Sequence, residues 1–146
     1  MKNKKIWIIT ELYYPVLTST GYIITEIAEY LANRGLNINV ICTGSKYNET
    51  NNYGFIRREV KNNVIIHRVN TGNISKNNPI LRIIRLFWSS IVLFKKTLQS
   101  VEKGDQLFVV TNPAFLVILL PLIKKIKRVQ YSILVNDVFP ENLVAV

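Results

Sequence analysis

The sequence predicts an α/β fold: a Rossmann-like parallel sheet with helices on both faces. Three observations carry that expectation. Apolar runs of strand length alternate with segments of helical periodicity. The first, fourth and fifth of those runs are nearly continuous in large apolar residues, as strands covered on both faces of a parallel sheet read. Finally, 146 residues with an apolar fraction of 49% suffice for one domain with its own core and argue against disorder.

Taken in order, "KKIWIIT" is a short Ile-rich run that predicts a first strand ending near Thr10. "GYIITEIAEYLANRG" follows, with Ile23, Ile27, Tyr30 and Leu31 at helical spacing and Gly35 as a C-terminal cap. "NINVICT" predicts strand two, the polar "GSKYNETNNYG" a loop and "VIIHRV" strand three. After the loop "TGNISKNN", Pro79 opens the helix "PILRIIRLFWSSIVLFKKTLQSVEK". That helix is unusually apolar, and its Arg82, Arg85, Ser89, Lys96, Gln99 and Lys103 recur at three- and four-residue steps as a polar stripe, with Gly104-Asp105 closing it. "QLFVVT" predicts strand four, "PAFLVILLPLIKKIKR" a helix and "VQYSILV" strand five. No repeat, low-complexity segment or internal linker interrupts the pattern.

Composition excludes several classes. Cys42 stands alone, so neither a disulfide framework nor a metal cluster is expected, and a reducing cytoplasmic setting fits. The basic start precedes only Ile6 to Ile9 before Thr10 and Glu11, too short a run for a signal peptide. The longest uncharged stretch, Gln106 to Ile123, is broken by "TNP" and reads as strand, turn and helix, not as a membrane span. Charge is uneven. Val60 to Arg128 holds twelve Lys/Arg against two Asp/Glu, whereas seven basic residues balance seven acidic ones elsewhere. The net +10 therefore belongs to one region, which suggests a surface facing something anionic. Its cations are interleaved with aliphatic runs and not with stacking aromatics, which disfavours nucleic acid as the partner.

In an open parallel sheet, ligands bind beyond the carboxyl ends of the strands. Here those ends carry small polar residues: Thr18, Ser19, Thr20 and Gly21 after the first strand, Thr43 and Gly44 after the second, Thr111 and Asn112 after the fourth, Asn136 and Asp137 after the fifth. A glycine at a helix start lets backbone approach a phosphate, although neither dinucleotide nor P-loop glycine pattern is present, and on local chemistry Thr20 as a plain N-cap accounts for the stretch. His67, within strand three, reads as a packed or edge residue and not a base, and Cys42 has no histidine near it in sequence. Asp137 reads as a cap for a helix opening at Pro140, and Glu141 as a favourable charge in its first turn.

The stretches "ITELYYPVLTSTGYIITEIAEYLANRGLNINVICTG", "VIIHRV" and "GDQLFVVTNPAFLVILLPLIKKIKRVQYSILVNDVFPENLVAV" resemble the N-terminal half of a retaining glycosyltransferase of the two-domain GT-B architecture, glycosyltransferase family 4. Within it they most resemble bacterial capsule, O-antigen and exopolysaccharide enzymes, the L-fucosamine-type transferases among them. The resemblance implies that residues 1–146 are the acceptor-side Rossmann-like domain, incomplete, with the donor-binding domain absent and the chain alone inactive. It implies a nucleotide-sugar donor, a lipid-linked sugar acceptor and no cofactor or metal. Thr20 and Gly21 would approach the donor diphosphate. Asn136 and Asp137 fall where the family carries His-Asp beside the transferred sugar, and Thr18, Ser19, Thr111 and Asn112 would line the cleft. Two departures stand out: Asn136 replaces the histidine, and Tyr22 replaces a second glycine. The resemblance also implies peripheral work on the inner face of the cell membrane, with Lys124, Lys125, Lys127 and Arg128 facing anionic lipid. A separate chain could carry the donor half. The competing reading is a non-catalytic α/β module that binds a membrane or a partner.

Overall fold

The computed structural model describes residues 4–16, 18–44, 57–72 and 79–135. A six-stranded sheet is built from β1 (Ile6–Ile9), β2 (Ile38–Thr43), β3 (Arg58–Lys61), β4 (Val64–Val69), β5 (Gln106–Val110) and β6 (Gln130–Leu134), in the order β3-β4-β2-β1-β5-β6. All neighbours pair in parallel except β3, which runs antiparallel to β4. The helices are α1 (Ser19–Asn33), α2 (Pro79–Ser100) and α3 (Ala114–Lys127). The expected α/β, Rossmann-like architecture with helices on both faces is what forms.

Side-chain alternation along the strands divides the core into two clusters. Ile8, Val40, Cys42 and Ile66 face α1 and meet Ile24, Ala28 and Ala32. Trp7, Ile9, Ile41 and Val109 face the other way and meet Leu93 of α2 with Leu116, Leu120 and Ile123 of α3. Helix α1 ends as the sequence requires: Gly35 takes φ +85°, and the amides of Gly35 and Leu36 return to the carbonyls of Ala32 and Leu31.

Local differences from the sequence reading are these. The charged stretch before Val64, assigned to no element above, is a strand, β3, closed onto β4 by Asn62 and Asn63, both at positive φ. Two such residues make the tight turn whose twist suits a hairpin. A charged strand also suits a sheet edge, where it discourages pairing with other chains. The N-cap of α1 is Thr18 and not Thr20: its Oγ1 accepts the amide of Gly21 at 3.2 Å. A cap accepts from an amide two or three residues on, and Thr18 is the threonine at that distance from Gly21. Third, Ser89 of the polar stripe of α2 faces inward. It is buried with Ser90 and Thr97, which lie outside that stripe, while Ile80, Ile83, Ile84, Phe87 and Trp88 are exposed. Small residues let α2 approach the sheet closely. The hydroxyls of Ser90 and Thr97 are satisfied by the carbonyls of Leu86 and Leu93 within the helix itself.

Candidate functional site

Strand order changes direction at β1, with β2 on one side and β5 on the other. The chain leaves β1 towards α1 on one face and leaves β5 towards α3 on the other, so a crevice opens at the carboxyl ends of these two strands. Backbone hydrogen bonds define its floor. The amide of Glu11 donates to the carbonyl of Asn112 at 3.1 Å, and the Glu11 carbonyl accepts from the Thr43 hydroxyl at 2.8 Å. Glu11 thus ties together the ends of β1, β2 and β5.

Its carboxylate is the charged centre of the crevice. Glu11 is only 5% exposed, and Arg85 of α2 donates to it from Nη1 at 2.6 Å. The Nε of Arg85 is buried without a partner in the described structure. A carboxylate held in so dry a place needs a charged donor, because desolvation of an unpaired ion costs several kcal/mol. Neither residue stood out in the sequence. The signal was there in two halves, an acidic residue directly after strand one and an arginine in the polar stripe of α2, but 74 positions separate them.

The residues expected at the cleft are distributed as follows. Thr18, Ser19, Thr20 and Gly21 stand at the start of α1, at the same carboxyl edge as Glu11. No acidic residue occupies the first turn of α1, so its amino end keeps its positive partial charge. The Gly21 amide is engaged by Thr18. A Cβ at position 21 would lie 2.7 Å from the Val16 carbonyl oxygen, so the glycine is also required by how closely the preceding loop crosses the helix. Thr111 and Asn112 follow β5 at the crevice, the Thr111 amide donating to the Leu134 carbonyl at 3.1 Å. Asn136, Asp137, Pro140 and Glu141 lie outside the described residues. Lys124, Lys125 and Lys127 occupy the last turn of α3, with Arg128 as its cap in the left-handed region at φ 52°. Because α3 runs back along the sheet, this cluster sits at the opposite edge from the crevice. It is not part of the same site.

Other titratable groups do not present catalytic chemistry. Burial pushes the Cys42 thiol up to about 12, only partly opposed by Arg68, so it stays protonated and inert. Burial also raises the Tyr13 hydroxyl, and the charge of Glu29 adds to it. His67 of β4 packs against Trp7 with ring centres 5.4 Å apart. Burial, then the charges of Lys96, Arg58 and Lys5, lower it to about 4. This is the packed histidine expected, though β3 rather than β4 forms the sheet edge. No group of three or more His, Cys, Asp and Glu that could hold a metal occurs among the described residues. An apolar groove of about 250 Å³ lies beside α1, lined by Ile6, Ile27, Leu31, Phe108 and Ser132. It lies away from the carboxyl-edge crevice, among strand starts such as Ile6, Gln106 and Gln130.

No family model matches the chain. Over 70 residues, 48% of the chain, it is 33% identical to a protein of Pseudomonas aeruginosa named as the probable glycosyltransferase WbjE. The matched stretch spans 18% of that protein's length. The chain is therefore similar to a limited part of a protein so named.

Proposed function

We propose that the chain is the acceptor-side domain of a glycosyltransferase. Its reaction moves a sugar from a nucleotide-sugar donor to a lipid-linked glycan acceptor in cell-surface polysaccharide synthesis. The observation that carries this reading is the likeness to the Pseudomonas protein, supported by a Rossmann-like sheet whose switch-point crevice is polar and charged. The finer assignment, a family 4 enzyme of GT-B architecture and fucosamine type acting on the inner membrane face, rests on the resemblance of the sequence stretches. In this reading the donor half belongs to sequence beyond these 146 residues or to a separate chain.

The chain's own residues then have distinct tasks. The amino end of α1, which has no acidic residue in its first turn and whose Gly21 amide is capped by Thr18, turns Thr20 and Gly21 towards the donor diphosphate, and Ser19 and Thr18 complete that wall. Thr111 and Asn112 offer hydroxyl and amide groups to acceptor sugar hydroxyls. Glu11 and Arg85 lock the ends of three strands and fix the crevice shape. Asn136, in place of histidine, orients the transferred sugar by hydrogen bonding and moves no proton, with Asp137 next to it on the strength of the resemblance.

The test joins residues 1–146 to the C-terminal part of the Pseudomonas relative and measures transfer from uridine- and guanosine-diphosphate sugars to lipid-linked acceptors. The 146-residue polypeptide alone is expected to yield no product, because charge on the departing diphosphate lacks its donor-side partners. The chimera is expected to turn over, Asn136→Ala to reduce its rate and Asn136→His to preserve it. Turnover by the polypeptide alone would overturn the division of labour. A folded chimera inactive with every donor would instead favour the non-catalytic module, which the exposed apolar surface of α2 also suits.

A further inference from the structure

The sheet face that α2 covers is open between this helix and β3. Register sets Trp7 beside Asn39 across β1 and β2, with Lys5 two residues earlier and His67 of β4 one pleat later. These residues line a hollow of about 340 Å³, bounded by Ser100 of α2 and by Arg58, the β3 partner of His67. The apolar pattern of the core stops here. Elsewhere the same face presents Ile9, Ile41 and Val109. Here it presents amide, imidazole and ammonium groups, the Lys5 Nζ lying 6.0 Å from the centre of the Trp7 ring.

Three cations from three different elements converge on His67: Lys96 of α2, Arg58 of β3 and Lys5 before β1. After burial itself, the charge of each disfavours the protonated ring, and no carboxylate offsets them there. None of the three is in an ion pair with a described residue. The glutamates of this region pair elsewhere, Glu59 with Arg68 and Glu11 with Arg85. Asp105, the carboxylate fastened to the same corner, is taken up by the amides of Lys5 and Glu102 and by the Trp7 indole. The Nε2 of His67 is buried without a partner among the described residues. Lys96 also borders a second hollow of about 440 Å³ with Arg57 and Arg68, so the positive field continues past His67 towards the end of β4. Cations gathered over an apolar floor, with no acid among them, concentrate that field and draw in an anion.

We propose that this hollow is a binding site for a small soluble oxyanion of the phosphate class, held by Lys5, Arg58 and Lys96 over the His67 ring. The chemistry selects a multiply charged anion. Three cations exceed what one carboxylate neutralises, and ammonium and guanidinium groups both donate to phosphate-type oxygens. A hollow of this size takes a phosphate group with a small substituent. The bound anion reverses the field at His67. Its charge offsets the cations that keep the ring neutral, so the ring gains a proton on binding, and binding tightens as the pH falls. The hollow lies towards the amino ends of β1 and β2, whereas the crevice at Glu11 opens at the carboxyl ends. It is a second site, and it does not rest on the sugar-transfer reading.

His67 is the single histidine of the chain, so its ring resonances report the site directly by NMR. Sulfate is the probe, because it stays dianionic over the whole range and any pH dependence then belongs to the protein. The 146-residue chain is titrated with sulfate at an ionic strength held constant with chloride. The expected result is a saturating one-site shift of the His67 resonances, for which inorganic phosphate competes. The midpoint of His67 should rise from about 4 by about one pH unit or more, which corresponds to sulfate binding about tenfold tighter when the ring is protonated. Arg58→Gln with Lys96→Gln should weaken sulfate binding at least about tenfold by calorimetry. Arg58 is exposed and Lys96 half-buried, and circular dichroism checks that the variant folds. His67→Gln should bind sulfate at neutral pH as the wild type does and lose the tightening on acidification. A shift that chloride reproduces or that never saturates, undiminished binding by the double glutamine variant, or acid-dependent binding that survives His67→Gln would each overturn the proposal. A His67 shift caused by phosphatidylglycerol vesicles in buffer free of sulfate and phosphate would overturn the soluble ligand in favour of a lipid headgroup. None of these outcomes touches the sugar-transfer test.

Discussion

Helices α1 and α2 cover opposite faces of one sheet and solve the same packing problem in opposite ways. In α1 the buried positions are Gly21, Ile24, Ala28 and Ala32, so small residues and one branched anchor lie against the strands. In α2 the buried positions are Ser89, Ser90, Leu93 and Thr97, again small residues around one anchor. The inward halves are thus alike. The outward halves differ in charge: α1 carries Glu26 and Glu29 beside the exposed Tyr22, Ile23 and Tyr30, whereas α2 has no acidic residue and exposes Ile80, Ile83, Ile84, Phe87 and Trp88 with Arg82 and Lys95. Folding accounts for the inward similarity, because close approach to a pleated sheet favours small side chains around a filling one. It does not account for the apolar residues of the first turns of α2, which nothing covers among the described residues.

The largest effect expected from breaking this arrangement is at the inward ion pair that α2 makes with Glu11. Arg85→Met removes the partner of a buried carboxylate, and loss of one member of such a pair costs about 3 kcal/mol or more. Urea unfolding should show a lowered midpoint with an unchanged slope. Adding Glu11→Gln to Arg85→Met should recover most of the loss, because the isolated charge is then gone. If the single variant is as stable as the wild type, the pair is ornamental and the crevice is not fixed by it.

A second pair of substitutions separates the two helices directly. Ile24→Ala on α1 opens a cavity at a fully buried site and should cost about 2–5 kcal/mol. Ile84→Ala on α2 removes the same atoms from a half-exposed site and should change stability by no more than about 0.5 kcal/mol. Thermal or urea unfolding of the two variants checks the contrast. Equal losses would mean that the outward side of α2 is packed in solution, against a second copy or another segment.

The strands were legible because burial on both faces leaves continuous apolar runs, and Ile8, Val40 and Ile66 are each fully buried as those runs imply. Strand β3 was hidden by its own chemistry: Arg58, Glu59, Val60 and Lys61 form an edge, where charge is favoured and apolar alternation is not needed. Its turn, Asn62-Asn63, was the available signal. The facing of α2 was not legible: periodicity reports that a helix has two sides, not which side meets the sheet. Ser90 and Thr97 satisfy their hydroxyls within the helix and pack as readily as alanine, whereas the buried Ser89 hydroxyl has no partner among the described residues. Asp105 was seen as a helix terminator, but it does more. It accepts from the amides of Lys5 and Glu102 and from the Trp7 indole, fastening the start of β5 to β1. The Glu11–Arg85 grip depends on a tertiary approach that no local pattern encodes. The expected site at Asn136 and Asp137 falls outside the described residues and stands as part of the proposal.

The smallest effect concerns the α2 face of the sheet and its one histidine. His67 lies among Trp7, Lys5, Arg58 and Lys96, with its Nε2 buried and unpaired among the described residues. Burial first, and the neighbouring cations second, lower its pKa from 6.5 to about 4. The folded protein therefore keeps this ring neutral at a pH where the unfolded chain has already protonated it. Between pH 6.5 and about 4 the unfolded state binds more protons at this residue, so stability is full above the window and falls as the pH drops through it. His67→Gln removes that linkage while leaving carboxylate titrations in place. Urea midpoints measured at neutral and at mildly acidic pH should fall further for the wild type than for His67→Gln. The difference should be modest, since the ring is only partly buried and water screens its neighbours. Identical falls would mean that His67 protonates equally in both states, and that the cationic shoulder beside α2 is more solvated than its packing indicates.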